Sequence, residues 1–224
     1  MMRQFKPFIL VCLSILLGAT LALAQDHQAT DHAHGHPFDD AAKWSATFDD
    51  PERDQWQKPE QIITALSLRP SDVVADIGAG TGYLSVRLAH HLGTGTVYAV
   101  DAEKGMVHHL GERANAAGIG NLRPILGDAS SANLPEKVDL AVLLDVYHHV
   151  SDRSDYFRRL AGSLKPGGRV AIIDFRPESP VGAPKEMRVS PEQIQAEMSA
   201  AGYRLADKYD FLPYQNFLIF ETSN

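Results

Sequence analysis

Only four residues, "LPYQ" at 212–215, separate two strand-like runs near the end of the chain, "YRLADKYDF" (203–211) and "NFLIFET" (216–222). A connection that short cannot hold a crossover helix, so the two strands must pair antiparallel as a hairpin. Upstream the arrangement is of another kind. Short apolar runs at 72–77, 96–101, 122–126, 138–144 and 169–175 alternate with helical patterns at 82–92, 104–117, 152–162 and 191–201. Such alternation builds a parallel sheet with helices on both faces. The expected fold class is therefore α/β: a doubly wound, mostly parallel seven-stranded sheet with a C-terminal antiparallel hairpin. A helix of about ten residues is expected before the first strand, where Pro59 leads Ile62, Ile63, Leu66 and Leu68. With 224 residues and no internal repeat, one core is expected, in a domain spanning 44–224.

The first residues stand apart. Arg3 and Lys6 precede the apolar run "PFILVCLSILLGATLALA", which ends in Ala22-Leu23-Ala24 before polar "QDHQ". A charged start, an apolar middle and small residues at −3 and −1 describe a secretory signal peptide, residues 1–24, cleaved after Ala24. The competing reading is an uncleaved N-terminal anchor, since the run is near the ~18 residues that begin to suggest a span. Gly18, Thr20 and the Ala-x-Ala ending favour cleavage. In both cases the leading positive charges keep the N-terminus inside and send the remainder across the membrane. The mature chain is thus expected to be exported, to a periplasmic compartment, with no stable membrane association.

Cys12, inside that run, is the sole cysteine, so disulfides, thiolate metal sites and cysteine nucleophiles are excluded from the mature protein. Residues 25–43, beginning "QDHQATDHAHGHPFDD", read as a disordered, His-rich linker. His27, His32, His34 and His36 within it have weak metal affinity at most, because nothing holds them in a fixed geometry. No metal cofactor is expected. The formal charge is −7, and no dense Lys/Arg block is present. Nucleic-acid partners are therefore disfavoured.

The stretch "VVADIGAGTG" (73–82) carries the first chemistry. Gly78, Gly80 and Gly82 let the backbone turn tightly after the first strand and lie against a ligand. In an open parallel sheet, ligands bind beyond the carboxyl ends of the strands, where strand order reverses. A dinucleotide fingerprint, Gly-x-Gly-x-x-Gly, would need its last glycine at Tyr83 or Ser85, so it is not met. An NAD-dependent oxidoreductase is disfavoured on that ground. An acid, Asp76, precedes the glycines instead; it repels phosphate and suits an ammonium group. Asp101 ends the second strand, where nucleotide folds place the carboxylate that accepts from ribose hydroxyls. Asp128, in "ILGDAS", follows the third strand, within reach of an adenine amino group. Ammonium, ribose and adenine together describe S-adenosyl-L-methionine. Taken singly, the glycines also serve strand–helix packing, Asp101 also caps the next helix and Asp128 also starts a turn.

In order and spacing, "VVADIGAGTGYLSVRLA", "VYAVDAEKGMV", "GDAS" and "LKPGGRVAIIDF" resemble the successive motifs of class I S-adenosylmethionine-dependent methyltransferases. The resemblance runs from about residue 60 to the C-terminus, hairpin included. It implies that Asp76, Gly78, Gly80 and Gly82 contact the methionine portion of the cofactor. It further implies that Asp101 holds the ribose, that Asp128 and Ala129 reach the adenine, and that Met106 packs on the adenine face. The expected activity is methyl transfer to a small-molecule acceptor. The alternative is an exported, non-catalytic module that uses the same pocket for an adenosyl ligand or a protein partner.

The fourth strand, in "VDLAVLLDVYHHV", ends at Leu144, so Asp145, Tyr147, His148 and His149 fall beyond its carboxyl end, beside the cofactor. His148 or His149 is a candidate base where the acceptor must lose a proton, with Tyr147 as a positioning group. The competing role for either histidine is packing or helix capping. His90, His91, His108 and His109 lie on helical patterns and read as surface residues. The Asp/Asn-Pro-Pro-Tyr pattern of nucleic-acid N-methylation is absent here. Acceptor-shaping residues are expected around Trp44, Phe48, Trp56 and Gln57, and in "RPESPVGAPKEMRV" (176–189). In that loop, Arg176, Lys185 and Arg188 either attract an anionic acceptor or are ordinary surface charges. N-terminal sequencing of the protein recovered from its native host is expected to start at Gln25. A cytosolic protein starting at Met1 or Met2 would defeat the export expectation.

Overall fold

The structure, a computed structural model, describes residues 40–223. The expected signal peptide, its expected cleavage point and the four linker histidines lie outside the described residues. Asp40 opens the described chain by capping α1 (Ala41–Phe48), its side chain accepting from the Lys43 N–H. The first helix therefore begins inside the stretch expected to be linker. Next come α2 (Arg53–Gln57) and α3 (Pro59–Leu66). Lys58, at φ 50°, turns the chain between them, and Pro59 opens α3 with its φ already helical. The sequence pattern foretold α3 but neither α1 nor α2. Each of those makes at most about two turns, too few for an apolar periodicity to show.

From here strands and helices alternate: β1 (Val73–Ile77), α4 (Tyr83–Leu92), β2 (Thr96–Asp101), α5 (Lys104–Ala116), β3 (Leu122–Leu126), β4 (Val138–Leu144), α6 (Arg153–Ala161) and β5 (Leu164–Phe175). The chain ends with α7 (Pro191–Ala200), β6 (Tyr203–Tyr209) and β7 (Gln215–Thr222). The seven strands lie in the order β3-β2-β1-β4-β5-β7-β6. The first five are parallel, and β7 runs antiparallel to both β5 and β6. The expected hairpin is thus present, with its second strand inserted against β5.

One strand boundary differs by more than two residues. The fifth strand starts at Leu164 rather than 169, because Leu164 pairs with Val138 before the register jumps to Leu140 and Arg169. The intervening "KPGG" bulges out of the ladder: proline has no N–H to give it, and Gly167 sits at φ 75°.

The sheet buries both faces. Leu84, Leu88, Leu92 and Leu110 of α4 and α5, with Ile62 and Leu66 of α3, pack on one side against Val74, Val142, Ile173 and Ile219. Phe157, Leu160, Ile194 and Met198 of α6 and α7 cover the other against Ala75, Leu143, Ile172 and Leu218. Strands buried on both faces read as unbroken apolar runs, as "LAVLL" and "VAII" do here. Ile219, fully buried on β7, joins the first core together with Phe217 of the same strand. Ile219→Ala is expected to cost about 2–5 kcal/mol in denaturant unfolding while leaving ligand affinity unchanged.

Candidate active site

Winding reverses between β1 and β4, and the loops after those strands part to leave a cleft of 860 Å³. Its floor is the glycine loop. Gly78, Gly80 and Gly82 all lie in the left-handed region, at φ 73°, 54° and 93°. A Cβ on Gly78 would stand 2.3 Å from the Val146 side chain of the loop after β4, so this glycine is required where the two loops meet. Gly80 instead faces the cleft, with the Phe48 ring 3.4 Å from where its Cβ would be. The loop is tied to β2 by the Gly78 and Ala79 N–H groups, which donate to the Val100 carbonyl at 2.8 and 2.9 Å. The Gly80 N–H donates to Asp101 Oδ2 at 2.8 Å.

Each predicted acid has a distinct setting. Asp76 is buried, accepts from the Ser85 hydroxyl and lines the cleft; burial pushes its carboxyl up to about 6. Asp101 is also raised, first by burial, although the Gly80 and Glu103 N–H groups oppose the shift. Asp128 is exposed and is held down at about 2 by the Ser130 hydroxyl and N–H, the Asn133 amide and the Ser131 N–H. Its carboxylate thus organises a turn and lines the cleft together with the neighbouring Gly127 and Ala129. Met106 is buried in the same wall. The hydroxyl of Thr81, also in the lining, is a buried polar atom with no hydrogen-bond partner within the described residues.

The roof comes from α1 and α2. Arg53 reaches down to Asp145 Oδ2 at 2.9 Å and also donates to Gln57 Oε1 and the Phe48 carbonyl. Its guanidinium stacks on Tyr83 with the centroid 4.1 Å away. Asp54 accepts from the Tyr83 hydroxyl at 2.6 Å and from Arg87, while Arg113 pairs with Asp49 and donates to the Thr81 carbonyl. Asp145 occupies the left-handed region at φ 60°, a conformation that costs a non-glycine residue about 1–2 kcal/mol. Arg53 on one oxygen and Gln215 on the other hold it there. Burial raises its carboxyl to about 7 despite Arg53. Trp44, Phe48, Trp56 and Phe175 line the cleft with Ala183 and Pro184.

Of the three residues expected to do chemistry, one lines the cleft. Tyr147 is turned into the core on the α6 and α7 side, stacked on Phe157, with its hydroxyl donating to Glu197 at 2.6 Å. Its expected role beside the ligand is therefore corrected: a phenol at that point of the turn finds a hydrophobic wall and a carboxylate behind the sheet. His148 is also behind the cleft wall, its Nδ1 2.8 Å from Asp174 Oδ1. His149 lines the cleft at its edge, with its ring centroid 4.1 Å from that of His148. Burial and His148 lower its ionisation, and Asp174 opposes them.

Residues 74–168 match the sequence pattern of a methyltransferase domain. A ubiquinone/menaquinone biosynthesis C-methyltransferase of Ectopseudomonas mendocina is 30% identical over 156 residues, covering 67% of this chain and 60% of that protein. An uncharacterized methyltransferase of Bacillus subtilis is 32% identical over 122 residues, 54% of this chain and 47% of that one. The chain therefore spans between about half and three fifths of these relatives. A SAM-dependent methyltransferase of Aquifex aeolicus, known from its crystal structure, superposes with a TM-score of 0.75 at 26% identity, covering 81% of this chain and 97% of that one. This is the class I methyltransferase fold.

S-adenosylmethionine fits the donor set of this cleft. Asp76, Asp101, Glu103, Asp128 and Asp145 line it, against a single guanidinium, Arg53, already paired with Asp145. That balance favours an ammonium and a sulfonium and opposes a pyrophosphate, which argues against NAD. A polar ligand on the glycine loop would satisfy the unpartnered Thr81 hydroxyl. His90, His91, His108 and His109 do not line the cleft. Sequence reading missed Arg53, Thr81, Gln215 and Asp174. Only Asp174 had a signal, an acid at the carboxyl end of the fifth strand.

Asp76 gives the sharpest test. Its folded pKa lies above the ordinary carboxylate value, so its charge costs stability: the penalty is absent below about pH 4 and complete above about pH 6. Asp76→Asn is expected to raise unfolding free energy at pH 8 by about 1–3 kcal/mol, and to weaken S-adenosylhomocysteine binding by about tenfold or more. In the wild type, binding is expected to weaken as pH falls through about 6. Denaturant titration and calorimetry check both; a variant that binds normally would remove Asp76 from the site.

Proposed function

We propose that this protein transfers a methyl group from S-adenosylmethionine to an uncharged, planar, largely apolar small molecule. The observation that carries this reading is the composition of the cleft's two halves. One presents acids and the glycine loop, suited to the cationic amino acid and ribose of the cofactor. The other presents Trp56 and Phe175, while Phe48 lies against Gly80 of the glycine loop with Trp44 stacked on it. Trp56 and Phe175 stand 6.1 Å apart, ring to ring, and offer flat apolar faces.

An anionic acceptor finds no counter-charge there. Arg53 is taken by Asp145. Arg176 donates to the Gln215 carbonyl, and Arg188 to the carbonyls of Pro177, Ser179, Val181 and Ala183, which makes it a brace for its own loop. Neither these nor Lys185 line the cleft. The Ectopseudomonas relative, a C-methyltransferase of ubiquinone/menaquinone biosynthesis, acts in a pathway of ring compounds and supports the same acceptor class.

Bound in the cleft, the cofactor supplies an electrophilic methyl on an activated leaving group. The protein's part is alignment: the glycine loop and Asp101 fix one reactant, the aromatic half fixes the other, and the roof keeps water out. A non-catalytic binding module is not favoured, because Asp76, Asp101 and the aromatic half are all in place. The signal-peptide pattern around Arg3, Lys6 and Ala22-Leu23-Ala24 supports work outside the cytosol.

Both tryptophans of the chain line the cleft, so their fluorescence reports its occupancy. Calorimetry is expected to show binding of S-adenosylmethionine and S-adenosylhomocysteine but not of NAD. In the presence of S-adenosylhomocysteine, 2-naphthol is expected to change tryptophan emission at concentrations about tenfold below those needed for the anionic 2-naphthoate. No sulfonium or thioether binding would end the methyltransferase reading. Equal or tighter naphthoate binding would overturn the acceptor class.

A further inference from the structure

Methylating a hydroxyl or a ring carbon releases a proton, and the cleft wall contains few groups to receive one near neutrality. Asp145 is one, but both its oxygens are engaged, by Arg53 and Gln215. Asp76 is on the cofactor side. His149 also lines the cleft, beyond the carboxyl end of β4, and is exposed to water.

Behind His149 is an arrangement that the binding function does not require. Asp174, 1% exposed, accepts from the His148 and Phe175 N–H groups at 3.0 and 2.7 Å, and lies 2.8 and 3.0 Å from His148 Nδ1 through its two oxygens. Among the described residues no lysine or arginine forms an ion pair with it. The His148 side chain is 3% exposed. The nearby charges are those of Arg53, Asp145 and Asp174, which sum to −1 when both acids are ionised. A proton on the histidine pair brings that sum to zero.

We propose that His149 accepts the proton released by the methyl acceptor, and that Asp174 is the positioning residue, holding His148 against the His149 ring and stabilising the cationic form of His149 with its own charge. The proposal rests on the methyltransferase reading above. In the step, the acceptor's O–H or C–H bond breaks, and its electron pair forms the new bond to the sulfonium methyl. The carbon–sulfur pair returns to sulfur as a neutral thioether. The proton resides on the His149 ring until water at the cleft edge removes it. His148, held by the buried carboxylate, lies against the His149 ring, the two centroids 4.1 Å apart.

A purely structural Asp174 would only tie the turn at 147–149 to the end of β5. Asp174→Asn separates the two roles, since the amide keeps an acceptor oxygen for the turn and deletes the charge. NMR of histidine-labelled free protein, assigned with His149→Gln, reads the coupling without any acceptor. Asp174→Asn is expected to lower the His149 titration midpoint by about half a pH unit or more with the thermal midpoint little changed. An unchanged midpoint would overturn the relay; should Asp174→Asn fail to fold, His148→Asn is read the same way, with a raised or lowered midpoint supporting coupling and an unmoved one refuting it.

The second measurement is the ionisation of 2-naphthol, followed by its absorbance, in the complex with S-adenosylhomocysteine. In the wild type it is expected to ionise about one pH unit or more below its value in water, and in His149→Gln near that value. Naphthol that binds with the same ionisation in both proteins sinks the relay alone. Naphthol that does not bind sinks the acceptor class and the relay with it.

Discussion

Where the loop after β1 meets the loop after β4, Gly78 lies against Val146 with no room for a single extra carbon. That contact is the seam of the reversal in strand order. The chain winds outward from β1 to β3 on one side of it and from β4 to the hairpin on the other. Helices follow in opposite directions and cover opposite faces, so a crevice opens beyond the carboxyl ends of the two central strands. Gly78 keeps its floor shallow enough for Asp76 and Asp101 to border a common space. A larger residue there would push the two loops apart and misplace both halves of the site together.

Electrostatics then selects the occupant. Burial raises Asp76, Asp101 and Asp145 above the ordinary carboxylate range, an unfavourable state for the protein alone and a favourable one for a cation that arrives. Arg53 offsets part of this at Asp145, and it does so from the roof. The same ion pair that offsets the Asp145 charge therefore fastens α2 over the cleft, and Asp49 and Asp54 add further fastenings to Arg113 and Arg87. With its one guanidinium so engaged, the cleft has aromatic surface and little free positive charge to offer an acceptor.

The aromatic half and the histidine turn divide the work around β4. The three consecutive residues Tyr147, His148 and His149 form one turn of 3₁₀ helix, so they point in three directions. Tyr147 enters the core toward Glu197, His148 meets Asp174, and His149 edges the cleft. One residue faces the ligand while its neighbours anchor it from behind. A histidine on a mobile loop would lack that support.

Much of this was legible before folding. The alternation of apolar runs and helical patterns, the four-residue "LPYQ" link, and acids at the ends of the first three strands are all local or periodic, and chain geometry maps them directly onto a sheet and its carboxyl edge. Fold class and the acids Asp76, Asp101 and Asp128 that line the cleft follow from residue order alone. What the tertiary structure decided is everything that depends on contacts between distant segments. Arg53 meets Asp145 across 92 positions and Gln57 meets Gln215 across 158, and no periodicity records such pairs. Which of three adjacent turn residues faces the ligand is likewise set by the walls around them, because a change of one position in a tight turn redirects a side chain by about a third of a revolution.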